Sequence, residues 1–366
     1  MSRAFWQGRS VFVTGHTGFK GGWLVTWLIE MGARVTGYAL APDTSPSYFE
    51  LCGLDRKMTS ITGDIRDQSA LEGAITACAP EVMFHLAAQS LVRRSYREPV
   101  STFAVNVMGT VNLLEAARKT DSVRAIVVAT SDKCYENRGS LWGYREDDPL
   151  GGRDPYSASK ACAELVAGAY GRSFFETPGR SIACATVRAG NVIGGGDWAC
   201  DRLVPDTIRA LDRGNSLLLR NPDAIRPWQH VMEPVGGYLA LAERLCTEGA
   251  RWSGPWNFGP AEDQAVTTAV LVDRIFREWG GGKWQNAGDA AAPHEAKSLR
   301  LDCSKARQLL GWRPHLTMDQ TIGLTIDWYR SALRGERGDM YARSVEQINF
   351  YHRPAATPPP SAASEK

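Results

Sequence analysis

A tyrosine and a lysine four residues apart follow a short polar cluster in the middle of the chain. The cluster is Ser131, Asp132 and Lys133, within TSDKCYEN, and the pair is Tyr156 and Lys160, within DPYSASKA. On a helix, two side chains at this spacing lie on one face, and an ammonium group beside a phenol favours the phenolate. Such a tyrosine can transfer a proton near neutral pH, although the same spacing by itself also fits a chance pair on a solvated helix.

A glycine-rich loop near the N-terminus predicts the element that positions this chemistry. The run SVFVT, residues Ser10–Thr14, is typical of a buried parallel strand, and GHTGFKGG follows it directly. Gly15, Gly18 and Gly21 have the spacing needed for a tight turn, for close approach of a pyrophosphate and for close packing of a helix on the sheet. We therefore predict a dinucleotide site here. The predicted cofactor-binding residues of the loop are Gly15, Thr17, Gly18, Phe19 and Gly21.

The next three strands extend this pattern. The second, ARVTGYAL, ends without the acidic residue that favours NAD or an arginine that favours NADP, so it leaves the phosphorylation of the cofactor open. Asp64 closes the third strand, where it either contacts the adenine edge or caps the following turn. The fourth, VMFHLAAQS, ends in small residues beside which a cofactor can lie. The further predicted cofactor-binding residues are Asp64, Ile65, Leu86, Ala87 and Ala88, together with Tyr156 and Lys160.

Composition narrows the class of protein. The chain has 366 residues, 43% of them hydrophobic, which is enough for a large core and two subdomains. Its 42 Lys and Arg nearly balance 40 Asp and Glu, so no basic surface for nucleic acid or membrane is indicated. No apolar leader and no run of about 18 apolar residues occurs. We therefore expect a cytoplasmic protein with a small-molecule partner, no nucleic acid and no membrane.

The cysteines and histidines indicate neither a redox motif nor a metal site. The eight cysteines are scattered without a C-x-x-C pair, and the six histidines show no metal-ligand spacing. We expect reduced thiols and no bound metal.

Together, the glycine loop, the alternation of strands and helices and the Tyr156 and Lys160 pair resemble the extended short-chain dehydrogenase/reductase superfamily, over roughly residues 10–335. The resemblance implies an α/β fold, a Rossmann-type doubly wound parallel sheet with a smaller, mainly C-terminal α/β substrate subdomain. The expected division is residues 1–188 for the dinucleotide-binding domain with 229–255 returning to it, 189–228 and 256–340 for the substrate subdomain, and 353–366 for a disordered tail.

Within this superfamily, the segment Thr130-Ser131-Asp132-Lys133 is informative. Epimerases have serine-rich segments at this place, whereas sugar-nucleotide 4,6-dehydratases have Ser-Thr-Asp-Glu, so the aspartate is typical of dehydratases. With Lys133 in place of glutamate, the strings GHTGFKGGWL, RAGNVIGGGDWACDRL, RNPDAIRPWQHV and LDCSKARQLLGW closely resemble the cytidine-linked dehydratases, which act on CDP-glucose. Gly22 and Ser90, where those strings have Ser and Pro, lie outside the reacting groups.

The resemblance implies an internal redox dehydration of CDP-D-glucose with NAD. Hydride leaves C4, water is lost across C5 and C6, and the hydride returns to C6. Tyr156, with its pKa lowered by Lys160 and the nearby nicotinamide charge, is the expected base for the 4-hydroxyl, and Ser131 is expected to bond the same oxygen. We assign Asp132 as the acid at the 6-hydroxyl and Lys133 as the base at C5, although by themselves these two also fit a plain ion pair.

Expectations for the substrate side rest on the same resemblance. Asn191 follows a strand that would end beside the active site, and Arg226 and Arg300 are candidates for the diphosphate because guanidinium groups match phosphate oxygens. Either arginine also fits a solvated surface, and Trp228 fits buried packing. Nothing in these segments identifies what reads the cytosine base. The expected substrate-binding residues are Gln89, Asn191, Arg202, Arg226 and Arg300.

Other functions fit part of the pattern. A 4,6-dehydratase of another nucleotide sugar shares the whole pattern, and a nucleotide-sugar 4-epimerase shares the tyrosine, the lysine and the glycine loop but does not need Asp132 with Lys133. A catalytically silent dinucleotide sensor usually lacks the tyrosine or the lysine. The resemblance also implies a homodimer or homotetramer. The helices around Val100–Ala117 and Ala158–Tyr170 are candidates for its four-helix seam, although burial within the monomer explains their apolar positions equally well.

Overall fold

The structure is a computed structural model that describes residues 2–177, 180–261, 265–288, 299–334 and 339–353. The predicted tail, residues 353–366, lies outside the described residues except for Arg353. Among the helices described, none combines the length and apolarity needed to cross a membrane.

A seven-stranded parallel sheet forms the centre of the molecule. Its strands, in chain order, are β1 (Ser10–Thr14), β2 (Arg34–Ala39), β3 (Thr59–Thr62), β4 (Val82–His85), β5 (Ala125–Ala129), β6 (Ala183–Ala189) and β7 (Gly254–Phe258). Their order in the sheet is β7-β6-β5-β4-β1-β2-β3. Strands β4, β5 and β6 are buried along their whole length, as expected when helices cover both faces of a parallel sheet. The Rossmann-type doubly wound fold is therefore confirmed.

Helices pack on both faces of this sheet. The α-helices are α1 (Arg3–Trp6), α2 (Phe19–Glu30), α3 (Tyr48–Leu51), α4 (Gln68–Cys78), α5 (Val92–Arg97), α6 (Pro99–Phe103), α7 (Gly109–Lys119), α8 (Pro155–Tyr170), α9 (Leu203–Asp212), α10 (Met232–Glu248), α11 (Thr268–Trp279), α12 (Met318–Leu333) and α13 (Met340–Tyr351). Short 3₁₀ or π turns are Leu54–Arg56, Ala104–Met108, Asp132–Cys134, Gly171–Phe175, Gly249–Trp252 and Ala306–Leu310.

Helix α2 illustrates how the sequence pattern becomes packing. The four apolar side chains Trp23, Leu24, Trp27 and Leu28 are all buried, and they belong to one core that includes β1, β5 and β6. The last helix, α13, packs on α2, where the rings of Trp27 and Tyr351 meet edge to face at 5.4 Å. The end of the chain thus completes the helical layer that holds the glycine loop.

A smaller part of the molecule is formed by the segments between β6 and β7 and after β7. Its short strands pair as Leu217–Leu219 with Trp284–Asn286, Ile225–Pro227 with Ala265–Thr267, and Val192–Ile193 with Gln229–His230. A further pair, Glu176–Thr177 with Arg180–Ser181, precedes β6. Helix α10 lies within residues 229–255, whereas β7 only begins there and continues to Phe258; both join the central sheet region. Residues on either side of them supply the second wall of a cleft.

Candidate active site

A cleft of about 830 Å³ lies at the carboxyl ends of the central strands, where the strand order reverses between β1 and β4. This is the place at which doubly wound sheets bind ligands. The predicted site residues that line it are Gly15, Thr17, Gly18, Phe19, Gly21, Asp64, Ile65, Leu86, Ala87, Ala88, Gln89, Ser131, Asp132, Lys133, Tyr156, Lys160, Asn191, Arg202 and Arg226. Arg300 is exposed and does not line the cleft, so the structure separates it from the other predicted residues.

The glycine loop forms a cradle that side chains would fill. Gly15 has a positive φ of 77°, and a Cβ atom there would lie 2.6 Å from the backbone nitrogen of Ala87. A Cβ atom at Gly21 would lie 2.1 Å from the carbonyl oxygen of Gly15. Helix α2 begins directly after Gly18, and a helix N-terminus at such a loop presents free N–H groups to an anion. The loop therefore fits the pyrophosphate of a dinucleotide.

Asp64 caps the turn that follows β3. Its carboxylate accepts hydrogen bonds from the backbone nitrogen of Arg66 at 2.9 Å and from the Arg66 Nε at 3.0 Å, and this arginine lowers the pKa of Asp64. Asp64 was expected either to contact the adenine edge or to cap this turn. The structure shows the turn cap, and Asp64 also lines the cleft.

Helix α8, which carries the predicted tyrosine and lysine, starts at a well-capped position. The Asp154 carboxylate accepts a hydrogen bond from the backbone nitrogen of Ser157 at 3.0 Å, and a proline occupies the first turn of α8. Tyr156 and Lys160 therefore lie on consecutive turns of this helix. The Lys160 ammonium donates to the carbonyl oxygen of Ala129, at the end of β5, at 3.1 Å.

The Ser131, Asp132 and Lys133 cluster forms a 3₁₀ turn directly after β5. The Ser131 hydroxyl accepts a hydrogen bond from the backbone nitrogen of Lys133 at 3.2 Å and donates to Asp132 Oδ1 at 3.0 Å. It also hydrogen-bonds with Tyr156. Asp132 is only 4% exposed, and its Oδ2 atom has no hydrogen-bond partner among the residues that the structure describes. Burial raises the pKa of Asp132, which is the direction that a proton donor requires.

The pKa of Tyr156 moves in the direction opposite to our expectation. Burial raises it to about 12, and this outweighs the lowering by the Ser131 hydrogen bond and the Arg202 charge. The Lys160 ammonium bonds to the backbone of β5, and burial lowers its own pKa to about 8. The expectation of a lowered pKa for Tyr156 is therefore wrong for the protein without cofactor, and the part of it that rests on the nicotinamide charge concerns the cofactor-bound enzyme.

A buried ion pair connects the segment around residues 131–133 to helix α8. Glu164, one turn after Lys160 on α8, binds Arg188 through two nitrogens at 2.9 Å each, and both side chains are at most 3% exposed. The Thr130 hydroxyl donates to Glu164, and Arg188 donates to the Tyr135 hydroxyl at 2.7 Å. Thr130 and Tyr135 flank the cluster at residues 131–133, so the pair ties that cluster to the catalytic helix.

Replacement of Glu164 by leucine is expected to destabilise the fold by about 3–5 kcal/mol, because it leaves the Arg188 charge buried without its partner. The free energy of unfolding in a denaturant titration measures the loss. The matched control is Glu72→Leu, which removes a half-exposed partner of Lys119 and is expected to cost no more than about 1 kcal/mol. Equal losses in the two variants would contradict the role of the buried pair.

Arg202 and Arg226 lie on the substrate side of the cleft. Arg202 donates to Asp197 at 2.9 Å and to the Ser90 hydroxyl at 2.7 Å, so Ser90 lies within the cleft although it is outside the reacting groups. The Arg226 charge lowers the pKa of Asp132, which places that guanidinium near the cluster. Asn191 lines the same wall.

Gln89 and Trp228 have packing roles in addition to their place at the cleft. The Gln89 amide donates to the Leu91 carbonyl and to Thr102 at 3.1 and 3.0 Å, so this side chain is already committed within the first domain. Trp228 is 5% exposed, in agreement with its expected buried packing.

Comparison with known proteins places the chain in a family. Residues 12–325 match the family described as GDP-mannose 4,6 dehydratase. The chain belongs to this family. It is 51% identical over 355 residues to the CDP-glucose 4,6-dehydratase of Salmonella typhimurium, and the aligned residues cover 96% of this chain and 98% of that protein. It is 27% identical over 329 residues to the UDP-glucose 4-epimerase of Mycolicibacterium smegmatis, covering 87% of this chain and 98% of that protein.

A solved structure shares the fold of this GDP-mannose 4,6 dehydratase family member. DesIV, the dTDP-glucose 4,6-dehydratase of Streptomyces venezuelae, with NAD and TYD bound, superposes with a TM-score of 0.76 at 25% identity. The likeness covers 90% of this chain and 99% of DesIV.

One charged residue of the cleft in this GDP-mannose 4,6 dehydratase family member, Lys20, was not predicted from the sequence. Lys20 lines the cleft, and its charge lowers the pKa of both Asp132 and Lys160. Burial and the Arg202 charge lower the pKa of Lys20 to about 8. The pattern that marks it is a lysine between Gly18 and Gly21, in the first turn of α2.

The thiols and acidic groups form no second centre within the described part of the chain. All eight cysteines are free thiols. Over the same residues, no group of three or more His, Cys, Asp and Glu side chains is arranged to hold a metal ion.

Proposed function

We propose that this protein is a CDP-D-glucose 4,6-dehydratase that converts CDP-D-glucose to CDP-4-dehydro-6-deoxy-D-glucose and water, with NAD as its cofactor. The observation that carries the proposal is the meeting of Asp132 and Lys133 with Tyr156 and Lys160 in one cleft. An epimerase needs only the last two. The 51% identity to the Salmonella enzyme over nearly the whole chain supports the same reaction and the same base.

The residues of the first domain fit NAD. The cradle at Gly15 and Gly21 accommodates the pyrophosphate at the start of α2, and Asp64 and Ile65 line the cleft beyond β3, towards the adenosine half. Lys160 would hold the nicotinamide ribose. Bound NAD would supply the hydride acceptor for C4 of the sugar and, once reduced, the hydride donor for C6.

In the oxidation step, Tyr156 removes the proton of the 4-hydroxyl while Ser131 hydrogen-bonds the same oxygen. The Ser131 hydrogen bond and the Arg202 charge already favour the phenolate, and burial opposes it. The 4-ketone that results makes the proton at C5 acidic, which prepares the elimination.

In the elimination step, Lys133 takes the C5 proton and Asp132 gives a proton to the 6-hydroxyl, which leaves as water. Burial raises the pKa of Asp132, which is the direction that a proton donor requires, and its Oδ2 atom, which has no hydrogen-bond partner among the described residues, leaves the hydrogen bond to the substrate open. Lys133 lies next to it and lines the cleft.

Incubation with CDP-, UDP-, dTDP- and GDP-hexoses, followed by mass spectrometry, tests the reaction. We expect CDP-glucose alone to lose the mass of one water molecule, and the product to absorb near-ultraviolet light in alkali as a 4-keto-6-deoxy sugar does. Formation of a CDP-hexose of unchanged mass would indicate an epimerase instead. Loss of water from another nucleotide sugar would keep the reaction but change the base.

We propose in addition that the protein is a cytoplasmic homodimer or homotetramer and supplies deoxysugar biosynthesis, including that of lipopolysaccharide O-antigen. Support for self-association comes from large apolar side chains that are exposed on neighbouring helical segments, a pattern typical of interaction surfaces. These side chains are Val100 and Phe103 on α6, Met108 in the turn that follows, and Leu165 on α8.

A further inference from the structure

The covalent structure of a nucleotide sugar determines the order in which its sugar, diphosphate and base lie along the substrate side of the cleft. The sugar must reach Tyr156, the diphosphate follows the sugar, and the base lies farthest away. Arg202 lies near the sugar end, because its charge acts on Tyr156. The base must therefore lie beyond Arg202, among the residues that line the far part of this wall.

A charged pair occupies that part of the wall. Arg220 Nη1 lies 2.9 Å from Asp201 Oδ1, both residues line the cleft, and their side chains are 32% and 38% exposed. Arg202, the residue after Asp201, acts on Tyr156 and bonds to Asp197 and Ser90, whereas Asp201 bonds to Arg220. The pair is therefore accessible from the cleft, and its two members bond to each other.

The backbone at Asp201 is unusual. Its φ of 62° is left-handed, and among the described residues only Ala79 shares this feature outside glycine. Left-handed backbone at a non-glycine residue costs free energy and is concentrated at binding and active sites. At this residue the chain turns, so that Asp201 bonds to Arg220 while Arg202 bonds to Asp197 and Ser90.

Nearby arginines favour the ionised form of the Asp201 carboxylate, and a leucine gives this part of the cleft an apolar surface. Arg220 first, with Arg93 and Arg97 as smaller contributors, lowers the pKa of Asp201, so it stays a hydrogen-bond acceptor. Leu218, 66% exposed in the strand that precedes Arg220, lines the same wall and offers an apolar surface to a flat ring.

A second acidic side chain nearby is already used for structure. Asp206 pairs with Arg209 within α9, and Arg209 also donates to the carbonyl oxygens of Trp198 and Ala199 at 3.0 and 3.1 Å. This arrangement holds the loop before α9 in place. Asp201 differs in that its arginine partner, Arg220, also lines the cleft, so both members of that pair can contact a ligand.

The hydrogen-bonding edge of cytosine matches an acidic and a basic group side by side. Cytosine presents an amino donor at N4 next to acceptors at N3 and O2, and carboxylates accept from N4 in known base recognition. A guanidinium beside the carboxylate supplies the donors for N3 and O2. Uracil and thymine carry an acceptor at position 4, which would face the carboxylate and be repelled.

We propose that Asp201 and Arg220 read the cytosine base, Asp201 by accepting from the N4 amino group and Arg220 by donating to N3 and O2. This inference rests on the proposed function, because it takes a cytidine nucleotide as the substrate. It makes the two residues the ones that select CDP-sugars over UDP- and dTDP-sugars.

Calorimetric titration of the full-length protein with CDP and with UDP tests the assignment. Wild type is expected to bind CDP at least about tenfold more tightly than UDP. Asp201→Asn is expected to lose roughly 10- to 100-fold in CDP affinity while UDP affinity holds or rises, because an amide can donate to the acceptor at position 4. Arg220→Gln is expected to weaken CDP more than UDP. The control is Asp319→Asn, which breaks an Asp–Arg pair with Arg274 outside the cleft and should change neither affinity.

An unchanged ratio of CDP to UDP affinity in Asp201→Asn would overturn the assignment, as would equal losses for both nucleotides, because local unfolding affects both alike. Absence of discrimination in wild type would overturn it as well. Failure of the proposed function looks different. In that case wild type binds CDP selectively yet releases no dehydrated product, whereas normal dehydration with an unchanged affinity ratio contradicts the base assignment alone.

Discussion

Substitution of Tyr156 by phenylalanine is expected to lower kcat for dehydration by roughly 10²- to 10⁴-fold, the range for loss of a general base. The ring stays in its buried place, while the hydroxyl that hydrogen-bonds with Ser131 is removed. Without a proton acceptor at the 4-hydroxyl, oxidation at C4 stops. Mixing with CDP-glucose should therefore produce no absorbance of reduced nicotinamide and no 4-keto product.

Tyr170→Phe is the matched control for this substitution. Tyr170 lies at the other end of the same helix, and its hydroxyl approaches Glu115 at 3.5 Å, outside the cleft. It should keep wild-type activity. Dehydration at nearly the wild-type rate by Tyr156→Phe would show that another group takes the proton.

Lys133→Met is expected to separate the two halves of the reaction. Methionine keeps most of the length of the side chain but cannot accept the C5 proton, so C4 is oxidised and elimination stalls. Release of the 6-deoxy product should fall by roughly 10²- to 10⁴-fold, while the absorbance of reduced nicotinamide still appears. Exchange of the C5 proton with deuterated solvent, measured by mass spectrometry, should be lost in parallel.

Lys119→Met serves as the control, since Lys119 forms its ion pair with Glu72 on the surface and does not line the cleft. Its activity should match wild type. Normal release of the 6-deoxy product by Lys133→Met would remove Lys133 from the mechanism, and loss of cofactor reduction would place Lys133 in the first half of the reaction instead of the second.

The fold was predictable because its main features are local in sequence. The buried run at β1, the glycines that follow and the four apolar positions of α2 are neighbours along the chain, and each constrains the backbone wherever it occurs. The glycine requirement at Gly21 comes from backbone atoms of the same loop, whereas that at Gly15 comes from its positive φ and from Leu86 and Ala87, which follow the neighbouring strand β4. The spacing of the glycines therefore predicted the loop, although the contact that requires Gly15 forms only in the folded sheet.

The grouping of the candidate reacting residues in one cleft was predictable for the same reason. Residues 131–133 form one turn, and Tyr156 and Lys160 follow one helix cap, so their spacing already determines which side chains share a face. Arg300 was predicted to bind the diphosphate but does not line the cleft. The residues around an arginine in the sequence do not determine which surface of the folded protein its guanidinium reaches.

What the sequence by itself determined is thus the sheet, the glycine loop and the grouping of the candidate residues around Lys133. Only the tertiary structure decided their electrostatics and their surroundings. Burial raises the pKa of Tyr156, where the sequence alone had predicted lowering, and burial is set by all the segments that pack on a residue. The pairs Glu164 with Arg188 and Asp201 with Arg220 join residues 24 and 19 positions apart, and such contacts exist only once the chain has folded.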